Sequence, residues 1–474
     1  MTRKRLWIGL LFLGAFAAGL AGAEQENQGP VTWSFTGELN LAPSLIDEQP
    51  RVYDRLITAL LFDYEFIHLI MEMSLVNDQK YSPMESYWLG RYFYPNNGGL
   101  ELDFGPLSLR AGKLVHRDFL DTPYSLFISS QDLPALLAEI SFHGGPFSYE
   151  SRWIRLNTRS QAYPDRGANY KVFAGQIGEV RFGLQDIAVY VDRVFDEEYF
   201  FSPMPHIVTQ MVTKGPGKPW SEEANDNSIM GLFADWRRPK HYVYAQWLVD
   251  DVNADFLIDW LGLRDVFGDR KIPWKTAWSV GGFYEFPFGR LGFYHAGATK
   301  YTFEATQAGI PYGYTYYPAV EYLLRDGTPM TLYPVDNYVG YLYGENNLAF
   351  LVDYHRQIRS LGIEASLEYV VSGSKSPANP WHQFTGVTEA GRETRLLDDP
   401  VLEHTIVSGF AATWRWRWLT LYSRLRLGGV FNRLGPEAPS PTDDVLDDIL
   451  RPQPGENRFI YAWSLGATYT WNGG

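Results

Sequence analysis

The C-terminal stretch from Phe459 to Trp471 alternates between large apolar residues and small or polar ones without interruption. Successive side chains of a β-strand point to opposite faces, so this stretch has two different faces when extended. A barrel strand in a membrane needs one apolar face for lipid and one face that tolerates water. The stretch therefore predicts a transmembrane β-strand. Its apolar face carries Phe459, Tyr461, Trp463, Leu465, Ala467, Tyr469 and Trp471.

The same stretch resembles the C-terminal signal that the outer-membrane insertion machinery recognises, polar-x-Gly-x-x-aromatic-x-aromatic. Ser464, Gly466, Tyr469 and Trp471 occupy its four defined positions. Residues 472–474 extend beyond the terminal aromatic, whereas the usual signal ends there. The resemblance implies that this insertion machinery is a partner of the chain.

Replacing Trp471 with serine is expected to reduce the folded protein in the outer membrane severalfold, because the signal loses its terminal aromatic. The folded fraction is measured by heat-modifiable migration in gels. Trp463→Ser is the matched control, since it removes an aromatic from the same face and leaves the signal intact. Equal assembly of the two variants would contradict the signal interpretation.

The N-terminus has the three parts of a secretory signal peptide. Arg3, Lys4 and Arg5 precede an apolar run that ends at Leu20, and a small Ala-Gly-Ala site follows at 21–23. We expect residues 1–23 to be a signal peptide and residues 24–474 to be one outer-membrane β-barrel. A retained membrane anchor is the alternative, although the apolar run is short for a bilayer. Both termini therefore predict a location in the bacterial outer membrane.

Composition favours a membrane barrel and argues against several other classes. Aromatic residues make up 16% of the chain, yet the mean hydropathy is −0.23. Such an aromatic content suits the girdles at the two rims of a barrel in a lipid bilayer. The chain holds no cysteine, which excludes disulfides and thiolate metal sites. The net charge of −14 argues against nucleic acid as a partner, because such binding usually rests on a basic patch.

Alternating segments joined by tight turns recur along the chain and predict hairpins. Turns are expected near residues 105–106, 144–146, 237–240, 287–290 and 357–360. We predict an all-β, antiparallel transmembrane barrel of about 18 strands, with a range of about 16–20. Short periplasmic turns, long extracellular loops and a partly plugged lumen are expected. Alternation alone would also suit a soluble β fold, and the two terminal signals favour the barrel. Two loop segments, 254–266 and 442–450, have helical spacing.

Motifs of catalysis and of cofactor binding are weak. The sequence has no Gly-x-Ser-x-Gly elbow, no phosphate-binding glycine loop and no His-Glu-x-x-His helix. Acidic clusters at Asp250, Asp251 and Asp255 and at 443–448 could bind a divalent cation, but solvated loops explain them as well. We expect no enzyme activity, no catalytic residue, no metal site and no cofactor.

Arginines and loop aromatics are the candidate ligand-binding residues. Arginines on the face opposite the apolar one could form a basic ladder for an anionic sugar or phosphate. The alternative is a structural ladder in which they pair with lumen glutamates. Aromatic loop residues suit sugar rings, and rim or loop packing is their alternative role. The candidates are Arg415, Arg417, Arg424, Arg426, Trp274, Tyr314, Tyr316 and Trp381.

Three stretches resemble the Wzi-like capsule-assembly family of outer-membrane barrels. They are 123–134 with the hairpin at 145–149, then 234–236 with 244–251, and finally 340–347 with the hairpin to 373. The resemblance departs from the family near Ser129, Ser130 and Gln131, where only one residue carries an amide. It implies an 18-stranded, largely plugged barrel that binds surface polysaccharide.

Three functions remain open from the sequence. The first is a non-enzymatic barrel that binds or anchors surface or capsular polysaccharide. The second is a porin or substrate-specific channel, with a lumen lined by Glu364, Ser366 and Glu368 on one strand and by Arg424 and Arg426 on another. The third is adhesion through the long loops.

Overall fold

The chain forms an antiparallel β-barrel, as the alternating sequence predicts. The computed structural model describes residues 31–42, 51–77, 91–130, 134–157, 165–214, 219–220, 226–251, 275–300, 302–307, 310–313, 322–323, 329–330, 339–375, 396–436 and 450–473. The barrel sheet has 18 strands, which confirms the predicted fold class. The predicted signal peptide and both predicted loop helices lie outside the described residues, apart from Leu450, which begins a short strand.

The strands of the barrel are 9 to 16 residues long. They are β1 Val31–Ala42, β2 Arg51–Tyr64, β3 Ile67–Asn77, β4 Tyr92–Asp103, β5 Leu107–Val115, β6 Pro134–Gly144, β7 Phe147–Asn157, β8 Arg166–Ile177, β9 Val180–Val191, β10 Asp226–Arg238, β11 His241–Asp251, β12 Lys275–Phe286, β13 Gly289–Ala298, β18 Asn347–Ile358, β19 Leu361–Ser372, β20 Glu403–Trp416, β21 Leu419–Phe431 and β24 Arg458–Gly473. Short loop strands are β14 Glu304–Gln307, β15 Ile310–Gly313, β16 Tyr322–Leu323, β17 Pro329–Met330, β22 Leu434–Pro436 and β23 Leu450–Pro452.

Each barrel strand pairs antiparallel with the barrel strands before and after it in the chain. The last strand, β24, also pairs with β1, from Trp33 opposite Gly473 to Leu41 opposite Leu465. This pairing joins the first and last strands and leaves no free sheet edge. A closed sheet satisfies its backbone hydrogen bonds internally, which a membrane-spanning structure requires.

Tight turns and long connections alternate along the chain. Two residues join β8 to β9 and β20 to β21, whereas residues 192–225 separate β9 from β10. Gly178 and Arg417 adopt positive φ values of 60° and 54° in their turns, a conformation that tight hairpins demand. All short turns lie at the end where β1 begins and β24 ends. That end is the periplasmic one in outer-membrane barrels, and the long connections are extracellular.

The outer face of the closing strand is apolar and exposed, as its alternation predicts. Exposure reaches 70% for Phe459 and 41% for Trp463. Near the periplasmic turn of β20 and β21, Trp414 stacks on Trp416 with ring centroids 6.4 Å apart, and the tilted Trp418 ring follows at 6.3 Å. Trp418 also meets Tyr469 of β24 at 4.8 Å. These rings form part of the aromatic girdle at the membrane boundary.

A buried segment between β5 and β6 runs inside the barrel and is here called the plug, residues 116–130. Leu126 and Phe127 have no exposed surface, although they lie in a connection rather than a strand. They pack with lumen-facing wall residues such as Ile187 and Leu248 in one apolar cluster. Gly231 of β10 leaves room for the Phe127 ring, since a Cβ there would lie 2.9 Å from it. The predicted plugging of the lumen is therefore present.

The connection after β9 folds back over the outside of the barrel. It contains α1 Glu197–Phe201, α2 His206–Thr209 and a π-helical turn, Gln210–Lys214, and residues 197–214 are here called the strap. Tyr170 of β8 points into the lumen, because its hydroxyl accepts a hydrogen bond from the plug at Phe119 N (3.2 Å). Its neighbour Lys171 therefore points outward, and its Nζ donates to Met204 O of the strap at 2.8 Å.

The strap covers polar side chains that would otherwise face lipid. Asp186 of β9 stands opposite Lys171 and accepts a hydrogen bond from His206 N. Ser151 Oγ of β7 donates to Phe200 O at 2.7 Å. A lysine or arginine on the lipid face of a barrel costs about 2–4 kcal/mol at the bilayer midplane, and an acid costs less. The strap removes Lys171 and Asp186 from that environment and pairs them with its own backbone.

The predicted loop helices lie only at 254–266 and 442–450, so the strap helices are a difference from the prediction. Asp196 caps α1, because its carboxylate accepts from Tyr199 N at 3.0 Å. Glu197 and Glu198 follow in the first turn, where acids suit the helix dipole. These local signals are present in the sequence, but such short helices depend on packing. No helix in the described part of the chain is long and apolar enough to cross a membrane.

Candidate functional site

Asp118 holds the plug against the barrel wall. Its carboxylate accepts hydrogen bonds from the backbone N–H groups of Leu120 (3.0 Å), Phe127 (3.2 Å) and Ile128 (3.2 Å). It also accepts from Gln185 Nε2 of β9 at 2.8 Å and from Gln246 Nε2 of β11 at 3.2 Å. Burial raises the pKa of Asp118, and these donors oppose that shift. One buried carboxylate thus joins both ends of the plug to two wall strands.

Arg152 of β7 forms a second buried polar group between plug and wall. Its guanidinium pairs with Glu139 and Glu150, and Glu139 also pairs with Arg110 at 2.7 Å. Arg152 Nη1 donates to Arg117 O of the plug at 2.8 Å. Burial, together with the nearby positive charges of Arg152 and Arg110, lowers the pKa of His116 to about 3. His116 is therefore neutral at physiological pH, with Nδ1 3.4 Å from Arg152 Nη1.

The three stretches that resemble the capsule-assembly family meet inside the barrel. Ser129 N of the plug donates to Val339 O at 2.7 Å, next to the third stretch. Leu126 N donates to Gln246 Oε1 of the second stretch at 2.9 Å. The Tyr124 ring lies 6.2 Å from the rings of both Tyr341 and Tyr343 in the third. Segments far apart in the chain thus form one packed unit.

Three neighbouring strands form a polar trough on the lumen face, here called the lumen trough. Register across β19, β20 and β21 places Ser366 opposite Gly409 and Gly409 opposite Arg426. The acidic and basic strands are therefore separated by one strand of small residues, at roughly 10 Å between backbones. The trough consists of Glu364, Ser366, Glu368, Val407, Gly409, Ala411, Arg424 and Arg426.

The two arginines of the trough are exposed. The Arg424 guanidinium lies over the Tyr422 ring, 5.1 Å from its centroid. Among the described residues, no carboxylate lies within 4.0 Å of the charged nitrogens of Arg424 or Arg426. Within the described part of the chain, no ion pair of Arg424 or Arg426 therefore supports the alternative of a structural ladder.

Tyr343 and Glu368 form the edge of the trough nearest the plug. Tyr124 Oη donates to Glu368 Oε1 at 2.8 Å, and Tyr343 is half-buried beside them. Burial raises the pKa of Tyr343, the charge of Glu368 raises it further, and Arg426 opposes the shift. The phenol therefore keeps its proton, and an aromatic ring, a carboxylate and a guanidinium lie close together.

The other predicted ligand residues do not join this group within the described structure. Arg415 is opposite Thr420 at the periplasmic end of the same face, and Arg417 lies in the turn, over the Trp416 ring. The four arginines therefore do not form one continuous ladder. The loop aromatics Trp274, Tyr314, Tyr316 and Trp381 lie outside the described residues.

The insertion-signal residues lie on β24, and its backbone pairs with both β21 and β1. Trp471 stands opposite Phe35, so the signal becomes part of the barrel seam. Ser464 and Gly466 are on the lumen face, opposite Arg424 and Tyr422. Recognition of these residues by the insertion machinery stays a prediction.

Sequence reasoning missed Asp118, Arg152 and Tyr343. Tyr343 lies within the third stretch that resembles the capsule-assembly family, but its place beside Glu368 was not predicted. Asp118 follows the apolar end of β5, in a segment with no periodicity to show that it enters the lumen. Of the acidic cluster at 250–255, Asp250 pairs with Lys275, whose Nζ lies 3.0 Å from its carboxylate, and Asp255 lies outside the described residues. Among the described residues, no group of three acids or histidines could hold a metal ion.

Several solved structures of bacterial outer-membrane proteins are similar to this chain in fold. One is Wzi of Escherichia coli, described as an outer-membrane protein involved in group 1 capsule assembly and a carbohydrate-binding β-barrel. It is 12% identical, with 93% of this chain and 84% of that chain covered, at a TM-score of 0.52. Another is OccAB4 of Acinetobacter baumannii, 11% identical, with 95% and 100% covered, at a TM-score of 0.46.

Because the identity is only 12%, the similarity to Wzi shows the fold alone, a β-barrel of the outer-membrane type. The protein is a β-barrel of the bacterial outer membrane. No protein-family model matches the chain, and no curated protein matches it by sequence.

Proposed function

We propose that this protein is a non-enzymatic member of the Wzi-like barrels that binds or anchors an acidic surface or capsular polysaccharide. The observation that supports this is the lumen trough, in which exposed Arg424 and Arg426 face Glu364 and Glu368 across a floor of small residues. Guanidinium groups bind carboxylates or phosphates of an acidic glycan.

The trough also suits the neutral part of a sugar. Its glutamates accept hydrogen bonds from hydroxyl groups, and the Tyr343 ring offers an apolar face beside them. Gly409 leaves space in the middle of the trough, since a Cβ there would lie 2.5 Å from Ser366 Oγ. A chain of sugar rings could therefore lie between the two walls with its charged groups toward β21.

Arg426→Ala is expected to weaken binding of an acidic capsular polysaccharide about 10-fold, the equivalent of about 1.4 kcal/mol. Binding of the wild type is expected to weaken as salt rises, because the contact is ionic. A glycan array that includes neutral and acidic bacterial polysaccharides identifies the ligand, and titration with the best one gives the affinities.

Arg415→Ala is the matched control, because this arginine is also exposed but lies at the periplasmic end of the face. Equal affinity of the Arg426→Ala, Arg415→Ala and wild-type proteins would exclude the trough as the binding site. No binding to any polysaccharide of the array would exclude the proposed function.

A porin or substrate-specific channel is the second candidate. It is favoured by the acidic and basic side chains on opposite walls of the trough, an arrangement that could pass small polar solutes. Planar-bilayer conductance separates the two functions. Steady, large openings of the wild-type protein favour the channel, whereas silence together with glycan binding favours the anchor.

A further inference from the structure

The strap has two different surfaces. Its inner surface covers polar side chains on β7 to β9, as described above. Its outer surface carries exposed apolar side chains, with Phe201 65%, Met204 47% and Val212 47% exposed. Trp220 is 66% exposed and is joined to the strap, because its Nε1 donates to Val212 O at 3.0 Å. A segment in bulk water would favour polar residues at such positions.

The strap lies at the height of the outer leaflet. Asp186, which the strap covers, is six residues beyond Val180 at the periplasmic turn. Along a tilted strand this corresponds to roughly 15 Å above that turn, inside the apolar band of about 25 Å that barrels present to lipid. Phe182, Leu232 and Trp247 are outward-facing and exposed on the neighbouring β9, β10 and β11. The outer surface of the strap therefore continues the lipid-facing surface of the barrel.

We propose that the strap is a membrane-embedded element whose outer surface, formed by Phe201, Met204, Val212 and Trp220, binds acyl chains of the outer leaflet. The strap covers a polar stretch of the barrel wall and presents an apolar surface to the lipid instead. The contact is independent of the lumen trough, because it lies on the opposite side of the wall. A second copy of the chain or another protein would also cover apolar residues, and the experiment separates these occupants from lipid.

Because the sequence has no cysteine, a single introduced cysteine carries the only spin label. Phe201→Cys and Val212→Cys are labelled in vesicles of phosphatidylethanolamine and phosphatidylglycerol. Collision rates are measured with oxygen, which concentrates in lipid, and with a nickel chelate, which stays in water. Leu232→Cys on the barrel face is the lipid control, and Lys240→Cys in a periplasmic turn is the water control.

Both strap labels are expected to give an oxygen-to-nickel collision ratio equal to that of Leu232→Cys and several-fold above that of Lys240→Cys. A ratio equal to that of Lys240→Cys would place the strap in water and overturn the proposal. Protection from both probes would show a protein contact and overturn it as well. Heat-modifiable migration identifies folded variants, and Met204→Cys replaces either label position if that variant does not fold.

Discussion

Arg152→Met is expected to lower the free energy of unfolding by about 3–5 kcal/mol, because it leaves two buried carboxylates without their shared cation. Glu139 and Glu150 are 8% and 7% exposed, so water cannot replace the lost guanidinium. Arg110 still pairs with Glu139, whereas Glu150 keeps no described arginine partner. The measurement is equilibrium unfolding by urea in lipid vesicles.

Arg415→Met is the control for this substitution, because it removes an exposed arginine from the lumen face and is expected to change stability by less than about 0.5 kcal/mol. The double variant that adds only Glu150→Gln is expected to recover part of the loss, since Glu139 keeps Arg110 and no buried carboxylate then lacks a partner. If Arg152→Met were as stable as Arg415→Met, the buried network would not support the fold.

Asp118→Ala is expected to release the plug and to raise the conductance of the barrel. The substitution removes the acceptor for three backbone N–H groups and two glutamine amides, all inside the lumen. Each unsatisfied buried donor costs about 1–3 kcal/mol, so the inserted plug loses several kcal/mol relative to a hydrated, displaced one. Single-channel recording in planar bilayers measures the change.

Asp121→Ala is the matched control for the plug. Asp121 belongs to the same segment, but its carboxylate is 43% exposed and pairs only with Arg117 among the described residues. We expect its conductance to equal that of the wild type. Unchanged conductance and unchanged protease resistance in Asp118→Ala would show that apolar packing alone holds the plug.

Much of the barrel could be predicted from local pattern. The alternation around Trp463, the turn at Gly105 and the turn at Gly145 depend only on residues close in sequence, and a period of two follows from strand geometry. The trough was predicted in part, because Glu364 and Arg424 were assigned to lumen-facing positions. Their distance could not be predicted, since it depends on which strands pair and in what register.

The strap shows where local pattern fails. Outward-facing Lys171 and Asp186 contradict the rule that a barrel strand is apolar toward lipid, and nothing near them in sequence explains the exception. The explanation is Met204 and His206, which lie 33 and 20 residues away in sequence. Contacts of this kind exist only once the chain has folded.

The sequence by itself determined the strand alternation, the turns, the approximate strand number and the location in the outer membrane, because each of these depends on patterns of neighbouring residues. Only the tertiary structure decided that the plug enters the lumen at Asp118, that the strap covers the outer wall and that Arg426 stands across from Ser366. These features depend on long-range pairing and on the burial of polar groups, since a charge buried without its partner is far less stable than the same charge in water.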